Sequence, residues 1–163
     1  MRAPHSLSAV QLAVVSGASR GIGLAFADQL LRRTSGAIIA TSRSGTSQAL
    51  RQLQADFPGR VLPMSCDVTD PSDAQSLASR IKHEHGGSVD LLLNVAGLLH
   101  DQSSGLMPER SLAKFDAEAA LRVMSINAIG PVIMAQAMAP MLSKGAVIAN
   151  LSARVGSISD NRM

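Results

Sequence analysis

Residues 16–23 read "SGASRGIG". To their left lies an aliphatic run, "LAVVSGA" (12–18). To their right lies "GIGLAFADQLLRR" (21–33), where Ile22, Phe26 and Leu30 recur four apart, as on one face of a helix. The three glycines therefore fall where a buried strand turns into a helix. Gly17 permits the sharp turn. Gly21 and Gly23 let a phosphate approach the backbone and let the helix pack tightly on the strand. The free N–H groups of the helix start then form an anion site. An ordinary tight turn also uses glycines, but it does not require a strand before it and a helix after it.

The same alternation continues along the chain. "AIIATS" (37–42) is a second strand. Ala49, Leu50, Leu53 and Phe57 give a helix over 46–57, stopped by Pro58-Gly59, and "RVLPMSCDV" (60–68) is a third strand. The next helix has Asp70 as its N-cap, Pro71 as its first residue and Gly86 at its end. Ala74, Leu77, Ala78 and Ile81 are its buried stripe. "VDLLLNVAG" (89–97) is a fourth strand. A polar loop runs to about residue 114, a bent helix covers 116–142, and "AVIANL" (146–151) is a fifth strand. Strictly alternating strands and helices predict an α/β fold, a three-layer Rossmann-like doubly wound parallel sheet. One domain over 1–163 is expected. In such sheets ligands bind beyond the carboxyl ends of the strands.

Composition supports this class. Of 163 residues, 46% are apolar, 17% are charged, three are Phe, and none is Trp or Tyr. The core is therefore Ala, Val, Ile, Leu and Met, which suits strands covered on both faces. The net charge of +3 comes without a basic cluster or stacking aromatics, so no nucleic-acid partner is expected. One cysteine, Cys66, allows no disulfide within the chain and reads as a small buried hydrophobe. The N-terminus "MRAPHSLSAVQ" has no hydrophobic signal core and is short for an organelle transit peptide, so a cytoplasmic protein is expected. The most apolar window, 123–142, is interrupted by Asn127, Gly130, Pro131, Gln136 and Pro140. It reads as a buried core helix, with no membrane partner.

The remaining strand ends carry further candidates. "ATSRSG" (40–45) lacks the acidic residue that accepts from the ribose hydroxyls of NAD. Arg43 stands there instead, and Arg20 lies in the glycine turn. Two guanidinium groups suit a 2′-phosphate, which favours NADP over NAD; they also read as solvated surface arginines. Asp67, in "CDV" (66–68), reads either as an acceptor for an adenine amino group or as a turn residue. In "NVAG" (94–97), Asn94 can tie neighbouring strand ends together, while Ala96 and Gly97 leave room for a ribose and a nicotinamide ring. Pro131 has no N–H, so the Asn127 carbonyl loses its helical partner, and Gly130 eases the bend. That carbonyl can hold a water, or the kink can serve packing alone. "HEH" (83–85) is not a metal pair, because residues two apart on a helix face different ways; His83 and His85 read as a solvated helix end. No metal site is expected. Asp116 and Glu118 suit a helix N-terminus.

With these motifs in this order, the chain resembles the short-chain dehydrogenase/reductase family over residues 10–162. "SGASRGIG" is similar to its glycine signature, with Ser16 in place of Thr. "CDV" resembles its adenine site. "NVAG" resembles its Asn-Asn-Ala-Gly element, with Val95 at the second Asn. Asn127 matches its active-site Asn, whose carbonyl carries a water in a proton relay. "GLLHDQSSGLMPERSLAKFD" (97–116) and "NLSARVGSISDNR" (150–162) resemble the C-factor subgroup of carbonyl reductases in particular.

The resemblance implies hydride transfer between a nicotinamide and a small carbonyl or alcohol substrate. It implies a cofactor site of Gly17, Ser19, Arg20, Gly21, Ile22, Gly23, Arg43, Asp67, Val68, Asn94, Ala96 and Gly97, with Asn127 and Ser152 as catalytic residues. Counted from Asn150, the family's second serine falls on Ala153. Ser152 is the assignment kept, and Ser157 is the other candidate. The family's Tyr donates the proton, and a Lys four residues later lowers its pKa. Both lie beyond the fifth strand, and the chain holds no Tyr. The expectation is thus a sheet incomplete on its C-terminal side, in a partial chain with little activity. A nucleotide-binding or signalling module without reductase activity is the alternative. The resemblance also implies a homodimer or homotetramer for a complete protein. Exposed surfaces on the long helix and fifth strand imply self-association of this chain.

Overall fold

The computed structural model describes residues 7–101, 104–108, 111–153, 156, 157 and 159. Five parallel strands form one sheet in the order β3-β2-β1-β4-β5, with β1 Leu12–Ser16, β2 Ala37–Ser42, β3 Val61–Ser65, β4 Val89–Asn94 and β5 Leu142–Asn150. The helices are α1 Gly21–Arg33, α2 Gln48–Asp56, α3 Pro71–His85, α4 Ala117–Met124 and α5 Gly130–Met138. This is the Rossmann-like α/β sheet predicted above. Strand order reverses between β1 and β4, which puts the ligand crevice beyond Ser16 and Asn94.

Alternation along the strands sorts the core into two layers. Ala13, Val15, Ile38, Ala40, Leu91 and Leu93 face α1 and α2, meeting Ala27, Leu30, Leu31, Leu50 and Leu53. Leu12, Val14, Ile39 and Leu92 face the other way, meeting Ala74, Leu77 and Ile81 of α3 and Met134 and Met138 of α5. Period-two side-chain placement turns continuous aliphatic runs into strands buried on both faces.

The cap residues behave as read. The Asp70 carboxylate accepts from Ser72 N at 2.8 Å, Pro71 opens α3, and Gly86 closes it at φ 73°. The Ser72 hydroxyl and backbone N–H hold the Asp70 carboxyl below the usual carboxylate range. Asp116 caps α4, accepting from Glu118 N and Ala119 N.

Four expectations change. First, α1 buries Gly23, Ala27, Leu30 and Leu31, while Ile22 and Phe26 face out at 58% and 39% exposure. A Cβ on Gly23 would stand 2.3 Å from the Gly17 carbonyl oxygen, so the helix lies on its smallest side chains. Phe57 likewise leaves the helical stripe. It follows α2 and lies beneath the Arg32 and Arg60 guanidinium groups at 5.5 and 5.7 Å. Second, the strands differ in extent. β3 and β4 stop at Ser65 and Asn94, while β5 begins at Leu142, four residues early. A bulge between Val89 and Leu91 admits the extra length, and Ser143 Oγ donates to Asp90 at 2.6 Å.

Third, the long helix is a core helix only in its second half. Its helical stretch Ala117–Met141 is long and apolar enough to cross a membrane by composition, and only 17% of its most apolar window is buried. Gly130, Met134, Met138 and Met141 rest against the sheet and α3; α4 buries nothing. Fourth, His85 is half-buried rather than solvated, with Nε2 enclosed and without a hydrogen bond. His83 is exposed, as expected. No cluster of metal-ligating side chains occurs among the described residues.

Candidate functional site

At the crevice, the glycine turn is shaped by three different constraints. Gly17 has φ +69°, and a Cβ there would meet the Ala96 backbone at 2.7 Å. Gly17 and Ala96 thus bring the ends of β1 and β4 into contact. Gly21 has φ +59°, and a Cβ there would meet nothing within 4 Å. Its side of the turn is open, as a cradle for a bound group must be. Gly23 serves the helix–turn contact described above. Arg20, in the N-cap position of α1, places no side chain on the first turn, so those backbone N–H groups remain available to an anion.

Strand ends are tied by polar side chains. Ser16, fully buried, accepts from Val95 N and Ala96 N at 3.0 and 3.1 Å. Asn94, also buried, donates from Nδ2 to Asn150 Oδ1 at 2.8 Å and to the Pro131 carbonyl at 3.3 Å. It therefore joins β4, β5 and α5, while its own Oδ1 is enclosed without a partner. Sequence reading assigned the tie to Asn94 and missed Ser16. The signal was available: a hydroxyl at the end of a wholly apolar strand must find partners when buried.

Arg43 and Arg20 are both exposed at this rim. Ser19 lies beside Arg20 and is half-buried, and Ile22 is exposed on the first turn of α1. Asp67 takes a turn role: its Oδ1 accepts from Thr69 N at 2.9 Å and Thr69 Oγ1 at 2.7 Å. Its backbone N–H donates to Asp73 Oδ2 at 2.9 Å. The adenine and turn readings are compatible, since only Oδ1 is engaged in these bonds. Val68 is buried, and a Cβ on Gly130 would meet its Cγ2 at 2.9 Å. Gly130 thus serves close packing of α5 on Val68 as well as the bend.

Between α4 and α5, residues Ser125–Ile129 widen into a π-turn, with Gly130 N donating to Ser125 O. Two local causes converge. The Ser125 hydroxyl donates back to the Leu121 carbonyl at 2.8 Å, and Pro131 has no N–H for Asn127. The Asn127 side chain turns away from the helix and clamps the chain after β4. Its Oδ1 accepts from Leu98 N and its Nδ2 donates to Leu98 O, both at 2.7 Å. A Cβ on Gly97 would stand 3.5 Å from that Oδ1, an ordinary contact. Asn127, Gly97 and Asn94 are therefore brought to one end of the sheet. Ser152 is exposed just past β5, and the hydroxyls of Ser157 and Ser159 are 3.1 Å apart. Parts of the 97–116 and 150–162 stretches lie outside the described residues. Cys66, 2% exposed and 3.8 Å from the Met134 sulfur, has its thiol pushed up to about 11 by burial, so it is no nucleophile.

A glycine turn opening a helix at the switch point of a 3-2-1-4-5 sheet is the arrangement of dinucleotide-binding α/β proteins. Residues 11–162 match the family described as short chain dehydrogenase, and the chain belongs to that family. It is 30% identical over 148 residues to the 1-hydroxy-2-glutathionyl-2-methyl-3-butene dehydrogenase of Rhodococcus sp. strain AD45, covering 91% of this chain and 58% of that protein. A carbonyl reductase from chicken fatty liver, solved with NADPH bound, superposes at TM-score 0.79 and 29% identity, covering 93% of this chain and 60% of its own. A Pseudomonas aeruginosa PAO1 carbonyl reductase gives TM-score 0.77 and 29% identity, over 91% and 64%. The chain thus spans about three fifths of the length of these relatives. The family is one of oxidoreductases on a fold that binds NAD(P).

Proposed function

We propose that the chain carries the cofactor half of an NADP(H)-dependent carbonyl reductase or alcohol dehydrogenase, acting on a small substrate in the cytoplasm. The observation that carries the reading is the open cradle at Gly21, with Arg20 and Arg43 exposed on its rim and no carboxylate in residues 37–45. The residues fit the group: the first turn of α1 would hold the pyrophosphate, and the two guanidinium groups would hold a 2′-phosphate. Asp67 and Val68 would border the adenine, and Asn94, Ala96 and Gly97 the nicotinamide ribose. When bound, the nicotinamide supplies or takes up a hydride. The chain's own residues bind and orient it, and Asn127, fixed on Leu98, would place a water through its carbonyl. Ser152 would polarise the substrate carbonyl.

With no Tyr in its sequence, the chain lacks the phenol of the family's proton donor. A positioned general acid is worth about 10²–10⁴ in rate. We therefore expect NADPH binding without appreciable turnover. Calorimetric titration should show NADPH binding more tightly than NADH. Absence of binding at millimolar NADPH would overturn the reading. Reduction of simple carbonyls at rates like those of a whole reductase would overturn the inactivity. A binding or signalling module without reductase activity shares the first result, and it is favoured if NADPH binding persists where no extension of the chain restores turnover.

A further inference from the structure

We infer that Ser47 and Ser65 form a two-hydroxyl clamp that positions Arg43 and so sets the preference for a 2′-phosphate. The inference rests on the NADP reading above and deepens it. Residues 43–47, "RSGTS", connect β2 to α2 at the cofactor rim, and the chain turns there at Gly45 with φ +74°. Each end of this loop is held by a serine. From the β3 side, Ser65 Oγ donates to the Arg43 carbonyl at 2.9 Å. From the α2 side, Ser47 Oγ donates to the Ser19 carbonyl at 2.9 Å, within the glycine turn and next to Arg20. The same Ser47 oxygen accepts from Leu50 N at 3.2 Å, capping α2.

Neither serine is required for the core. Ser65 is exposed, Ser47 is half-buried, and the strand ends are tied independently by backbone bonds from Ala18 N to Thr41 O and from Cys66 N to Ser42 O. What the two hydroxyls do add is a fixed distance between the backbones that carry Arg43 and Arg20. Two guanidinium groups that must close on one phosphate gain from being set in place before it arrives, because the ordering cost of the loop is then met on folding. A ligand without the 2′-phosphate gains little from this.

The test is calorimetric titration of the 163-residue chain and of Ser47→Ala, Ser65→Ala, the double variant and Ser47→Thr, each with NADPH and with NADH. Each alanine should weaken NADPH about three- to tenfold, the range of one hydrogen bond, and leave NADH within about twofold. Ser47→Thr should restore the NADPH value. Ser65→Ala, on an exposed side chain, keeps the test independent of the α2 cap. Equal loss for both cofactors, or no loss in either alanine variant, overturns the clamp while the NADP reading stands. Failure of the unaltered chain to bind NADPH overturns both.

Discussion

The first and fifth strands are written in the same aliphatic alphabet, "LAVVS" and "AVIAN", and lie two places apart in one sheet. All five residues of β1 are buried, and none of the nine in β5 is. β1 has a strand on each side and helices on both faces. Among the described residues β5 has β4 alone, and its adjacent Val147 and Ile148 are 44% and 41% exposed. Adjacent residues point to opposite faces, so the described residues leave both faces of β5 open. Leu121, Met124 and Val132 on the neighbouring helix are exposed as well, at 68%, 57% and 65%. The contrast shows that aliphatic composition states the surroundings a strand is suited to, and does not say which part of a protein supplies them.

Substitutions can break this contrast. The largest effect is expected on the β1 side, at Gly17→Ala. Its Cβ would strike backbone 2.7 Å away and its φ would be strained, together about 4 kcal/mol by urea unfolding. A loss below about 1 kcal/mol would mean that the β1–β4 contact is slack. Leu92→Ala, in the fully buried middle of β4, should cost about 3 kcal/mol. Ile148→Ser, one strand over, should stay within about 0.5 kcal/mol and reduce self-association seen by light scattering. A clean monomer of the unaltered chain at micromolar concentration would remove the premise.

A pH-dependent effect sharpens the comparison from inside the covered region. Cys66 has a folded-state pKa raised from 9.0 to about 11 by burial. Its contribution is therefore complete below pH 9 and is lost as pH rises toward 11. Stability should fall by about 1 kcal/mol at pH 10, and Cys66→Ala should lack that share of the slope. An identical pH profile in both proteins would show that the thiol is not as enclosed as the structure has it.

Much of this was legible in the sequence because it is local. Asp70, Pro71 and Gly86 bracket α3 by their own chemistry, and the glycine turn announces itself by spacing. The fold followed from alternation. What was not legible depends on which neighbour arrives. Ile22 and Phe26 carry helical spacing, yet Gly23 and Ala27 face the sheet, because close approach of two backbones outweighs side-chain apolarity there. "LSKG" (142–145) reads as the end of the long helix and the link to the fifth strand, and becomes strand because β4 admits it past a bulge. Of the candidate site, the residue types at the strand ends were readable one by one. The hydroxyl ties of Ser16, Ser47 and Ser65 and the Asn127 grip on Leu98 were not, since they join segments 22 to 80 residues apart.

The wide turn at Ser125–Ile129 has a consequence for counting. A π-turn takes up one residue more than an α-turn, and one residue is about 100° of rotation. The helix after it is therefore out of phase with the helix before it. Met134 and Met138 point at the sheet, while α4, some ten residues upstream, has no buried residue to share their stripe. A single helical wheel drawn through 117–141 smears two faces into one. Treated as two short wheels joined at Asn127, it has one inward stripe in its second half and an unassigned one in its first.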